Sequence, residues 1–67
     1  MYDAIEVGGK LRKLRGNSSI ESVAKAIDIS PSALSMYENG ERTPRDDVKI
    51  MLAHFFDTTV GALFFNE

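Results

Sequence analysis

Apolar residues recur along the chain at helical spacing in five blocks. In the first, Ala4, Val7, Leu11 and Leu14 lie along one face with Ile5 at its edge, after an Asp3-x-x-Glu6 start that has the form of a capping box. This predicts a helix from about Ala4 to Arg15. In the second, Val23, Ala24 and Ile27 share a face of a helix opened by Ser18 or Ser19, with Ser18 and Glu21 offering a second capping box. The third starts with Ser30 as cap and Pro31 at the first helical position, where a missing N–H costs nothing. It turns Leu34 and Tyr37 inward with Ala33 beside them and stops at Asn39-Gly40. Arg45, Asp46 and Asp47 open the fourth, whose core stripe is Val48, Met51, Leu52 and Phe55 with Phe56 adjoining. Thr58 and Thr59 break it, and Thr59 caps a short fifth helix carrying Val60, Leu63 and Phe64.

The second and third blocks form one unit, from about residue 19 to residue 40. Ala24 is small enough to let another helix cross closely over it. Ser32, Ser35, Met36 and Asn39 are left facing outward as a short, uncharged, hydrogen-bonding surface. Two short helices of this kind, joined at Asp28-Ile29-Ser30, are a helix-turn-helix pattern, whose second helix enters a DNA major groove. Asp28 falls where the turn needs a left-handed residue, a conformation Asp tolerates better than most. Gly8-Gly9 inside the first helix costs roughly 2 kcal/mol relative to two alanines, so close packing against another helix is expected there. That account covers Gly8 and leaves Gly9 unexplained.

At these residues the chain resembles the Cro and phage-repressor helix-turn-helix family, also called the XRE family. Val7 to Arg15 is similar to its first helix. Val23-Ala24 with Ile27-Asp28-Ile29-Ser30 is similar to its helix-turn, and Leu34-Ser35, Tyr37-Glu38-Asn39-Gly40, Arg42 and Pro44 to its recognition helix and exit loop. The resemblance spans nearly the whole chain and implies an all-α, compact five-helix, lambda-repressor-like DNA-binding domain over residues 1–67. It further implies base contacts from Pro31, Ser32, Ser35 and Met36, and phosphate contacts from Lys10, Ser19, Ser30, Asn39 and Arg42. It pairs Glu38 with Arg12 or Arg15 as a structural brace. The chain departs from the family in four places: a link between helices 1 and 2 about two residues shorter, Ile20 where glutamine is usual, Asp28 where glycine is usual, and Lys49 where an apolar residue is expected.

Composition sharpens this picture at a few points. Sixty-seven residues make one domain, and a chain this short buries only about 60% of its unfolded surface. It contains no cysteine and one histidine, so no disulfide framework, metal site or cofactor is expected. No apolar run has the length of a membrane span, so a soluble, cytoplasmic protein is expected. The net charge of −2 argues mildly against a phosphate-rich partner. Basic residues nevertheless cluster at Lys10, Arg12, Lys13 and Arg15, with Lys25, Arg42 and Arg45 beyond, while acids gather elsewhere, so a basic strip on an acidic body can steer toward DNA. All four phenylalanines, Phe55, Phe56, Phe64 and Phe65, fall after residue 54. Either they form a core set with one scattered surface ring, or they make a dimer interface, as the resemblance implies.

Two functions compete. One is a sequence-specific transcriptional regulator, repressing as a homodimer on a palindromic operator whose half-sites lie about 34 Å apart. Small members of the resembling family often belong to phages and other mobile elements. The other keeps the fold and binds a protein partner, as an antitoxin or anti-repressor does; the acidic balance and the phenylalanine cluster favour it. An enzyme is not expected: the lone His54 has no positioned partner, and Gly8-Gly9 lacks the spacing of a phosphate loop.

Overall fold

Four of the five helices among the described residues start where a capping side chain satisfies their first N–H groups; the fourth in order, behind Arg45, has no such cap. In the computed structural model, which describes residues 2–65, α1 spans Ala4–Arg15, and the Ile5 and Glu6 N–H groups donate to Asp3 Oδ1 at 3.1 Å each. Helix α2 spans Ile20–Ala26, and its cap is Ser19, which accepts from the Ser22 N–H at 3.0 Å. The capping box expected at Ser18 does not form. Ser18 is taken by the end of α1: its N–H donates to the Arg15 carbonyl, and its own carbonyl accepts from the Arg15 guanidinium at 2.7 Å. Helix α3 spans Pro31–Glu38, capped by Ser30 on the Ala33 N–H at 3.0 Å. Helix α4 spans Asp46–Phe55, and α5 spans Val60–Phe64 behind the Thr59 cap.

Three of the helix ends close in the same way. After α3, Gly40 takes φ +74°, its N–H donates to the Tyr37 carbonyl, and the Glu41 N–H donates to the Met36 carbonyl. This double bond pattern is the Schellman motif. Asp28 repeats it after α2 at φ 59°, the left-handed residue the turn requires. Asp57 repeats it after α4 at φ 56°, bonding to the carbonyl of His54 while Thr58 bonds to that of Ala53.

Helix α1 packs on α3 and α5, α2 on α3, and α4 on α5. The core between them holds Val7 and Leu11 of α1, Val23, Ala24 and Ile27 at α2, and Leu34 and Tyr37 of α3. Val48, Leu52, Ala53, Leu63 and Phe64 complete it from α4 and α5. Two expected core stripes are rotated. Leu14 is 44% exposed, because α1 turns Val7, Gly8 and Leu11 inward. On α4, Met51 and Phe55 face outward, while Ala53 joins Val48 and Leu52 inside.

The cause on α4 is Lys49. Its side chain is only 12% exposed, and its ammonium lies 5.2, 5.8 and 5.1 Å from the ring centroids of Tyr2, Phe64 and Phe65. The lysine stem occupies the apolar position the family expects, and the charge rests on aromatic faces. Burial pushes the Tyr2 phenol up in pKa, offset in part by its hydrogen bond with Thr43. Among the described residues no helix is long and apolar enough to cross a membrane.

Candidate nucleic-acid interface

The recognition helix is held against α1 by a missing side chain and an ion pair. A Cβ on Gly8 would overlap the Glu38 carbonyl oxygen and lie 2.7 Å from its carbon and 2.8 Å from the Tyr37 carbonyl oxygen. Only glycine lets the α1 backbone come this close to the last turn of α3. The same does not hold for Gly9, which has nothing within 4 Å of an added Cβ.

Directly above this crossing the Glu38 side chain is 2% exposed. Arg15 grips it with two bonds, Nε to Oε2 at 2.6 Å and Nη2 to Oε1 at 2.9 Å. This fork-on-carboxylate geometry is the strongest arrangement open to the pair. It raises the Arg15 pKa further, against the opposing effect of burial. Arg12 is more loosely attached, its Nε 3.6 Å from Glu38 Oε1 and its side chain 59% exposed. Its Nη2 donates to Asn39 Oδ1 at 2.8 Å. Of the two arginines expected as alternative partners of Glu38, Arg15 is the anchor and Arg12 reaches the same carboxylate more loosely. Glu21 also acts on Arg15 electrostatically, so two guanidiniums and two carboxylates meet at this corner.

The outer side of α3 is uncharged. Pro31 and Ser32 are exposed, and Ser35 and Met36 are half-buried. Ser19 and Ser30 are exposed at the starts of α2 and α3, where their hydroxyls accept the capping bonds. Ile20 is half-buried against the core, in the place where the family's glutamine stands. Asn39 and Arg42 lie exposed at the end of α3 and in the loop after it. Arg42 forms no ion pair among the described residues, so neither Glu41 nor Glu38 holds it.

Lys10 is not brought together with these groups. Its Nζ donates to the Ala62 carbonyl of α5 at 3.2 Å. Two residues along a helix are about 200° around it, so Lys10 lies across α1 from Arg12. Nor do the phenylalanines form one surface. Phe64 is 2% exposed and belongs to the core, Phe56 is half-buried against it, and Phe55 and Phe65 remain 44% and 42% exposed. Among the described residues no group of three His, Asp or Glu side chains could hold a metal ion.

A short capped helix, a turn with a left-handed hinge and a second helix presenting an uncharged outer face, all braced by α1, define a helix-turn-helix DNA-binding domain. The chain belongs to the helix-turn-helix family HTH_3, whose model matches residues 9–63. That family, known also as the XRE family, consists of DNA-binding transcription regulators and not of enzymes. Among solved structures the chain is similar to the restriction-modification controller protein C.AhdI from Aeromonas hydrophila. The TM-score is 0.83 with 28% identity, covering 92% of this chain and 97% of that one. It shares its fold with the clp gene regulator ClgR from C. glutamicum, at a TM-score of 0.80 and 22% identity over 90% of this chain and 80% of that one. Comparison with curated protein sequences gives no match.

Proposed function

We propose that this protein is a sequence-specific transcriptional regulator that binds a palindromic operator as a homodimer, with α3 in the major groove, and represses by competing with RNA polymerase. The observation that carries this reading is the buried Arg15–Glu38 fork above Gly8. It fixes the angle of a helix whose outer face, Pro31, Ser32, Ser35 and Met36, is free of charge and open to base edges. Likeness to a controller protein supports the same reading.

Serine accepts or donates to any base edge, and Met36 gives apolar contact suited to a thymine methyl group. Discrimination is therefore modest at each base and supplemented by DNA shape. Phosphates are held by Ser19, Ser30, Asn39 and Arg42, while Lys10 drops out because it faces α5. Of these only Arg42 is cationic, and with 8 basic against 10 acidic residues in the chain binding is weak at high salt. Arg42→Ala should weaken binding to all sequences alike and lower the salt slope of the dimer by about 2, one for each copy; an altered base preference in a salt titration would contradict that role.

The test is selection from randomised duplex DNA at low salt, with the retained complex sized. Recovery of a palindrome with half-sites about one helical turn apart is expected. The second reading, a protein-interaction module of the antitoxin or anti-repressor kind, is favoured by the exposed Ile50 and Phe55. A stable complex with another protein, together with no DNA retained at low salt, would establish it instead.

A further inference from the structure

Three exposed apolar side chains stand together on α4: Ile50 is 60% exposed, Phe55 44% and Met51 37%. With Ala26, Ile27 and His54 they line an open groove of about 440 Å³ between the end of α2 and α4. Both exposed phenylalanines touch another ring: Phe55 meets Phe56 edge-on at 5.1 Å at the end of α4 itself, whereas Phe65 is engaged away from this groove. Phe65 meets Tyr2 edge-on at 6.4 Å and takes the Lys49 ammonium on its face.

We infer that the α2–α4 groove seats a second copy of this chain across a two-fold axis, with Ile50 and Phe55 as the anchors. The inference rests on the homodimeric reading above and moves the interface from the phenylalanine-rich end to the middle of α4. Charge is the first argument. In a two-fold contact, residues near the axis meet their own copies, so a charge there faces the same charge. Among the described residues, no Asp, Glu, Lys or Arg lines the α2–α4 groove. A second open groove, between α1 and α5, is lined by both Lys10 and Lys13 and would set lysine against lysine.

Shape is the second. Ile50, Met51 and Phe55 are at once the exposed side chains and the walls of the groove, so in a two-fold contact the same apolar walls of each copy meet across the axis. Area is the third. The three side chains expose roughly 300 Å² per copy, within the range that marks a functional patch on a monomer. Ringed by the polar residues of α2 and α4, that is a fitting apolar centre for the 800 Å² or so that each partner of a stable dimer buries. Because Ala26 and Ile27 belong to the helix-turn-helix itself, a partner seated here is tied directly to the unit that reads DNA.

Sedimentation equilibrium of the full chain over a wide concentration range tests this. The wild type should pass from the 7.4 kDa monomer to twice that mass. Ile50→Asp and Phe55→Asp should each weaken self-association about 100-fold, since both carboxylates would enter an apolar contact unpaired. Far-UV circular dichroism should stay unchanged for Ile50→Asp, at the more exposed position; Phe55→Asp also removes the ring contact with Phe56, so Ile50→Asp carries the folding control. Leu14→Asp, in the other groove, should leave the dimer intact. A wild type that stays monomeric, dimers that survive Ile50→Asp and Phe55→Asp, or a dimer broken by Leu14→Asp would each overturn the assignment. The two proposals fail separately. A chain that dimerises through this face yet selects no DNA sequence refutes the operator reading alone, and an operator-bound dimer indifferent to both substitutions refutes only the docking face.

Discussion

Gly8 and Gly9 are neighbours with opposite requirements. The first meets the backbone of Glu38 and Tyr37, and the second meets nothing. Gly8→Ala forces α1 away from α3 and should cost about 1–3 kcal/mol, as overpacking at a close contact does. Gly9→Ala should stabilise the chain by about 1 kcal/mol, because alanine loses less backbone freedom on entering a helix. Urea denaturation of the two variants checks both signs at once. Here the sequence allowed half an answer. Two glycines in a helix signal a close approach, but which one makes it depends on where α3 lies. Asp57 shows the same limit: nothing local distinguishes it from an ordinary helix-end aspartate until the chain direction after α4 demands φ 56°.

Between elements, the two arginines of α1 that reach Glu38 differ in burial, and so in consequence. Arg15→Ala leaves a carboxylate that is 2% exposed without its fork and should cost about 3–5 kcal/mol. Arg12→Ala removes a guanidinium that is 59% exposed, a loss of at most about 1 kcal/mol. Thermal unfolding of the pair measures this difference, and equal losses would mean that Arg15 is not the anchor. The existence and order of the helices were legible because their signals are local: Asp3, Ser30-Pro31, Gly40 and Thr59 mark boundaries by hydrogen-bond chemistry alone. Helix rotation was not. Which face of α4 turns inward depends on Lys49 finding Tyr2, Phe64 and Phe65, residues distant in the chain or on another helix.

At the scale of the whole molecule, a small core leaves two kinds of surface: the uncharged outer face of α3, and the apolar groove between α2 and α4. The first was readable from spacing and residue type. The second was not, since spacing places Met51 and Phe55 in the core stripe of α4 and leaves the phenylalanines open between core and interface. Lys10 stands apart from the α3 surface for a similar reason, because a run of basic residues on a helix points in several directions. The central claim is that α3 and its flanks are where DNA sits. Mapping amide chemical shifts by NMR while titrating the selected duplex into the labelled protein tests it most directly. Shifts concentrated at Ser19–Ser22 and Pro31–Arg42 are predicted. Shifts confined to the Lys10 side of α1 or to α4, with α3 unmoved, would contradict it.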